Sequence, residues 1–131
     1  VCLDTSPYNG GTTTLHALWM GVPTLTITGS TLPGRVGATI SQHVGLTQFI
    51  AADDDDFILK GKGIASDIAA IANLRDTLRD TLKKSAACQP ALIAAGVEHA
   101  MRAIWRHWCA GHPPVAMDAA EPPIDAMNKR N

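Results

Sequence analysis

Two short apolar runs near the start of the chain, separated by about one helix's worth of residues, constrain its fold most strongly. Residues 1–5 and 22–28 carry the apolar and β-branched side chains that favour strands. Parallel strands need a crossover connection, so the spacing predicts a βαβ unit with its helix over residues 12–20. Gly21 and Pro23 suit a helix end followed by re-entry into the sheet.

Further periodicities extend this unit. Residues 35–44 carry apolar side chains at four-residue spacing and predict a second crossover helix, ended by Gly45. Residues 49–51 predict a short third strand, with Thr47 as its earliest start. The acidic run at residues 53–56 predicts the start of another helix, because carboxylates match the positive end of the helix dipole.

Two amphipathic helices are predicted after the acidic run. One begins at Ile64 and lasts roughly five turns, and the other ends at Gly111 and is expected to pack against the rest of the domain. Trp105 and Trp108 are interpreted as core or interface anchors. The first apolar stripe consists of Ile68, Ile71, Leu74, Leu78 and Leu82, and the second of Val97, Met101, Ile104 and Trp108.

The glycines before the first predicted helix indicate an anion site. Gly10, Gly11 and Thr12 lie where the first backbone N–H groups of a helix have no intrahelical partner, and these groups suit a phosphate. Thr12 and Thr13 add hydroxyl donors, while His16 lies one turn further along and is placed to reach a ribose hydroxyl. The alternative is that the threonines only cap the helix and that His16 borders the core.

These elements predict an α/β fold that is part of a doubly wound parallel sheet, followed by amphipathic helices. Residues 1–112 are expected to form a partial nucleotide-binding domain with its carboxy-terminal helices. Residues 113–131 hold several prolines and no sustained period, so an extended or disordered tail is expected there. Because the chain opens inside an apparent strand, it is interpreted as a fragment of a longer protein.

Composition argues against several partner classes. Eleven Lys and Arg residues against twelve Asp and Glu residues leave no basic footprint for nucleic acid or an anionic membrane. No apolar run approaches the roughly 18 residues of a membrane span. The three cysteines, Cys2, Cys88 and Cys109, are odd in number and far apart, so they do not suggest a disulfide framework. A reducing, cytoplasmic environment is therefore expected. No metal site is predicted.

Residues 3–23 carry the most specific motif, Leu-Asp-Thr followed by Asn-Gly-Gly-Thr-Thr-Thr-Leu-His-Ala-Leu-Trp-Met-Gly-Val-Pro. Together with residues 29–38 and 44–46, it resembles the carboxy-terminal part of protein O-linked N-acetylglucosamine transferases, especially the bacterial tetratricopeptide-repeat members. The similarity continues to about residue 114. It implies a two-domain GT-B glycosyltransferase whose carboxy-terminal nucleotide-binding domain holds UDP-N-acetylglucosamine.

The resemblance also implies residue roles. Thr12 and Thr13 match the family's diphosphate-binding threonine pair, and His16 falls where many members carry an aspartate that holds the ribose. Gly10 and Gly11 complete the expected UDP site, although Gly11 replaces a histidine of some eukaryotic members. Arg35 also matches a family position. The family's catalytic base and phosphate-binding lysine would lie upstream, so this chain alone is expected to be inactive.

The implied reaction is the inverting transfer of N-acetylglucosamine to a serine or threonine hydroxyl without a metal ion or other cofactor. Repeats ahead of the catalytic region would recruit the polypeptide acceptor. Two alternatives remain open. In the first, the protein is a non-catalytic tetratricopeptide-type scaffold with a degenerate transferase domain, an interpretation that the substituted His16 favours. In the second, it is a transferase that uses another UDP-sugar or acceptor.

Overall fold

A computed structural model describes residues 1–117 of the 131-residue chain. Strands and helices alternate in its first part, and three helices follow. The elements are β1 (Cys2–Leu3), α1 (Thr12–Trp19), β2 (Thr24–Ile27), α2 (Val36–His43), β3 (Ile50–Ala51), α3 (Asp54–Ser66), α4 (Ile68–Lys84) and α5 (Pro90–Cys109). Short 3-10 turns cover Pro33–Arg35, Thr47–Phe49 and Ala86–Cys88.

The three strands form one parallel sheet with β2 in the centre. Cys2 pairs with Thr24 on one side of β2, and Thr26 pairs with Ile50 on the other. The helices α1 and α2 are the two crossover connections that the spacing predicts. The predicted α/β fold with an open parallel sheet is therefore confirmed, although the third strand starts at Ile50 because residues 47–49 form a 3-10 turn.

Two glycines end the crossover helices as predicted. Gly21 follows α1 and Gly45 follows α2, and each has a φ of 75°. This left-handed conformation is one that residues with a Cβ adopt only at an energetic cost. The chain therefore leaves both helices at these glycines. The parallel pairing of the strands places their carboxyl ends on one edge of the sheet.

The prediction of one helix beginning at Ile64 is wrong. The chain leaves the helical conformation at Asp67, which has a φ of −122° and a ψ of 77° and separates α3 from α4. The Asp67 carboxylate accepts a hydrogen bond from the Ala70 N–H at 2.8 Å and so caps the new helix. The apolar spacing continues through this break and so does not reveal it. The break depends on one capping side chain, which leaves the apolar period unchanged.

The core lies between the sheet and the helices α1, α2 and α4. Leu25 of β2, Leu18 of α1 and Leu78 of α4 are completely buried. Leu82 extends this contact by one turn of α4, so the face predicted from the apolar spacing is the face that packs. The remaining buried members of the cluster are Val44, Leu46 and Phe49.

The chain divides into two compact units, residues 1–88 and a second unit that begins at Gln89. The second unit contains α5, which ends at Cys109, two residues before the predicted end at Gly111. No residue of α5 is buried, and Trp105 and Trp108 are exposed, so the predicted packing of this helix stays a prediction. The described part of this unit contains only one helix, so it offers no second apolar face to cover the stripe.

The domain boundary predicted after residue 112 stays a prediction, and so does the tail. Residues 113–117 have no regular secondary structure, and residues 118–131 lie outside the described part of the chain. None of the helices within residues 1–117 combines the length and the apolar character that crossing a membrane requires.

Acidification is expected to remove part of the stability of α3. Asp53 caps this helix by accepting from the Asp56 N–H at 2.9 Å. Asp56 accepts from Lys60 Nζ at 2.8 Å and from the Ala52 N–H at 2.9 Å, and these two bonds lower the pKa of Asp56 below the ordinary aspartate value. Since the folded pKa is the lower one, the stabilisation is complete above the unfolded pKa and disappears as the pH falls through the folded pKa.

The substitution Asp56→Asn tests this dependence. The variant is expected to be less stable than the wild type near neutral pH and to approach it in acid below the ordinary aspartate range. Urea unfolding at a series of pH values measures the difference, with Asp55→Asn in the same helical turn as the control. A constant gap between wild type and Asp56→Asn at every pH would contradict the prediction.

Candidate functional site

The loops that follow β1 and β2 meet at the carboxyl edge of the sheet. The N–H of Asn9, which is only 3% exposed, donates to the carbonyl of Pro33 at 3.1 Å. The second loop is closed on itself, because the Gly29 N–H donates to the Gly34 carbonyl at 2.7 Å. Ligands of open parallel α/β sheets bind at this edge, so the two joined loops border the expected ligand position.

The amino end of α1 opens at this edge. Gly11 is the residue that precedes the helix, and no side chain within residues 1–117 caps it. The first hydrogen bond of the helix runs from the Leu15 N–H to the Gly11 carbonyl at 3.1 Å. The preceding amides of the first turn are therefore left for a ligand, and the helix dipole favours an anion there.

The three consecutive threonines of α1 have different surroundings. Thr14 is buried, and its hydroxyl donates to the Gly10 carbonyl at 2.8 Å. Thr12 and Thr13 are exposed at the helix mouth. The structure thus brings the two predicted phosphate-binding hydroxyls to the surface beside the free amides, while the third hydroxyl holds the turn from inside.

Gly10 and Gly11 also differ from each other. The Gly10 N–H donates to Asp4 Oδ1 at 2.7 Å, so this amide is already used inside the protein. A Cβ at Gly10 would collide with the Thr13 hydroxyl, whereas one at Gly11 would meet only Val36 at an ordinary 3.6 Å. Gly10 therefore serves the shape of the turn, and the position of Gly11 has room for a side chain.

His16 lies on the exposed surface of α1, one turn after Thr12. Residues four positions apart share a helix face, so His16 and Thr12 point to the same side of the mouth. Arg35 is exposed at the start of α2 and, with Val36, lines a cavity of about 400 Å³ next to this mouth. The ribose role of His16 stays a prediction, as do the UDP-binding roles of Gly10, Gly11, Thr12 and Thr13.

Asp4 is the site residue that the sequence analysis misses. Its half-buried carboxylate directly follows β1 and accepts hydrogen bonds from Thr5, Gly10 and Thr26. In the sequence it is a polar residue at the carboxyl end of a parallel strand and the aspartate of the Leu-Asp-Thr motif, and neither feature assigns it a role. Across residues 1–117, no group of three or more His, Cys, Asp or Glu side chains is arranged to hold a metal ion.

Comparisons with known proteins place this geometry in a family. The sequence model of glycosyl transferase family 41 matches residues 1–91. Among curated proteins, the probable UDP-N-acetylglucosamine–peptide N-acetylglucosaminyltransferase SPINDLY of Arabidopsis thaliana is 39% identical over 87% of the chain. The protein of the same name from Solanum lycopersicum is 38% identical over the same share. In each case the aligned region is 12% of the relative's length.

A solved structure supports the same assignment. A mutant of the Thermobaculum terrenum O-GlcNAc transferase superposes with a TM-score of 0.70 at 37% identity. The similar region covers 85% of this chain and 21% of the transferase chain. The helix mouth and both joined loops lie within the residues that the family model matches. From sequence model, relatives and fold together, the chain belongs to glycosyl transferase family 41.

Proposed function

We propose that this chain is the UDP-sugar-binding portion of a glycosyltransferase that transfers N-acetylglucosamine from UDP-N-acetylglucosamine to serine or threonine hydroxyls of a polypeptide. The observation that carries the proposal is the uncapped mouth of α1, where exposed Thr12 and Thr13 stand beside the first-turn amides that precede the first helical hydrogen bond. Membership of family 41 and the names of the relatives support the reaction and both substrates.

The mouth of α1 supplies stabilisation of the leaving group in this proposal. As the bond between the anomeric carbon and the phosphate oxygen breaks, negative charge develops on the diphosphate of UDP. Amide donors that are already oriented stabilise this charge without a reorganisation cost. The acceptor oxygen bonds to the anomeric carbon from the opposite face, and its proton passes to a base outside this chain. The proposal includes no metal ion, since the helix donors take up the developing charge.

The proposal extends to the ribose, the acceptor and the location of the protein. His16 is proposed to bind the ribose, because it shares the helix face of Thr12. Polypeptide acceptors are proposed to bind through repeats that precede the catalytic region, as the resemblance implies. A cytoplasmic location is proposed because Cys2, Cys88 and Cys109 are exposed free thiols, which suits a reducing compartment.

The variant Thr12→Ala with Thr13→Ala tests the proposed site. The two hydroxyls are expected to bond a charged diphosphate, so their loss should weaken UDP binding by about tenfold or more. Isothermal titration calorimetry of the full-length protein with UDP measures the change. Thr77→Ala with Thr81→Ala is the matched control, because these exposed hydroxyls only donate to carbonyls of their own helix.

The same titrations separate the alternatives. Unchanged UDP affinity in the Thr12 and Thr13 variant would contradict the assignment of the helix mouth. A wild-type protein that binds no nucleotide would favour the scaffold. Binding of UDP with transfer only from a sugar nucleotide other than UDP-N-acetylglucosamine, identified by mass spectrometry of the product, would change the donor and leave the site in place.

A further inference from the structure

We propose that Asp4 is a positioning residue for donor binding, which holds the glycine turn in its ligand-binding shape without touching the ligand. This inference rests on the proposed function. Asp4 has no role in the site predicted from the sequence. The inference is that Asp4 controls the orientation of the backbone amides that follow Gly10.

The Asp4 carboxylate joins three segments of the chain. Oδ1 accepts from the Gly10 N–H at 2.7 Å and from the Thr5 N–H at 2.9 Å. Oδ2 accepts from the Thr26 hydroxyl at 2.8 Å. Thr26 belongs to the central strand β2 and has no exposed surface, so the sheet holds its hydroxyl in place. Hydrogen bonds to a carboxylate are stronger than those between neutral groups, and the turn is thereby tied to the sheet.

The helix α2 covers this carboxylate. A Cβ at Gly37 would lie 2.6 Å from Thr26 Oγ1 and closer still to Asp4 Oδ2. The absence of a side chain at Gly37 therefore lets the backbone of α2 approach the Asp4–Thr26 pair directly. This contact leaves the carboxylate little freedom to turn away from Gly10.

The consequence for the ligand follows from the two bonds of Gly10. Its N–H is held by Asp4, and its carbonyl is held by the Thr14 hydroxyl at 2.8 Å. With both ends fixed, the orientation of the following amides of Gly11, Thr12 and Thr13 is set before a ligand arrives. Preorganised donors bind more tightly because no ordering cost arises on binding. Asp4 thus acts through Gly10, while its own oxygens are occupied by internal donors.

Three variants of the complete polypeptide test the inference. Asp4→Ala is expected to weaken UDP binding by about tenfold or more and to raise the KM for the sugar nucleotide without changing the KM for the acceptor. Asp4→Asn should restore most of the affinity, because its amide oxygen still accepts from Gly10. Thr26→Val should weaken UDP binding by several-fold, since it removes the hydroxyl that holds Oδ2.

The chain offers a matched control on the same strand. Thr24 is also buried in β2, but its hydroxyl has no hydrogen-bond partner among the described residues. Thr24→Val should therefore leave UDP binding and both KM values unchanged. Amide hydrogen exchange without ligand gives an independent readout, because the Gly10 N–H should exchange faster in Asp4→Ala than in the wild type.

The outcomes are distinct. Wild-type UDP affinity in Asp4→Ala would overturn the inference even if the variant melts earlier, since Asp4 would then serve stability alone. If Asp4→Ala does not fold, equal UDP affinity in Thr26→Val and Thr24→Val would overturn it. A wild type that binds no UDP refutes the proposed function. In that case, faster exchange of the Gly10 N–H in Asp4→Ala would still support the role of Asp4 in positioning the turn. Unchanged exchange would overturn that role as well.

Discussion

Replacement of Gly21 by alanine is expected to destabilise the protein by about 2–5 kcal/mol. Gly21 has a φ of 75°, which costs a residue with a Cβ about 1–2 kcal/mol. A Cβ there would also lie 2.7 Å from the backbone carbonyl oxygen of Arg75 in α4. Backbone cannot move aside as a side chain can, so we expect a further overpacking cost of about 1–3 kcal/mol. Urea unfolding measures the loss.

Gly45 provides the matched control for this prediction. It has the same φ of 75°, but a Cβ at Gly45 would meet no atom within 4 Å. Gly45→Ala is therefore expected to lose only the conformational part, about 1–2 kcal/mol. The difference between the two variants isolates the close approach of α4 to the end of α1. Equal losses at both positions would contradict that approach.

The substitution Leu78→Ala is expected to cost about 2–5 kcal/mol, because it opens a cavity in the middle of the core. Leu78 has no exposed surface and joins α4 to Leu18 and Leu25 in the central cluster. The loss of buried methyl groups and the incomplete collapse around them both contribute. Chemical unfolding monitored by circular dichroism gives the free energy, since helices make up most of this unit.

Ile68→Ala on the same helix is the control. Ile68 belongs to the apolar stripe predicted from the sequence, yet it is 76% exposed at the first turn of α4. Its replacement should change the stability by no more than about 0.5 kcal/mol. A loss at Ile68 as large as that at Leu78 would show that the first turn of α4 is buried in the folded protein.

Local patterns predict much of the first unit correctly. The crossover helices and the strands they join follow from apolar spacing and from Gly21 and Gly45, which act within a few residues of where they stand. The same reasoning fails at Asp67, where one capping carboxylate outweighs an apolar period that runs on into α4. Periodicity also identifies the apolar face of α5 without showing what covers it.

The candidate site shows the same division. The motif from Gly10 to Thr13 predicts an anion site at a helix mouth, because free amides at a helix start are a local property. It does not distinguish Gly10, whose amide is held inside the protein, from Gly11 at the open mouth. That distinction depends on Asp4, which lies six residues earlier.

By itself, the sequence determined the α/β class, the family resemblance and the position of the helix mouth, since each depends on neighbouring residues. Only the tertiary structure decided which groups hold that mouth in shape. Asp4 meets Thr26 across 22 residues of chain, and Gly37 approaches both from another helix. Such contacts arise from the pairing of strands and the packing of α2 over them, and no local spacing in the chain specifies them.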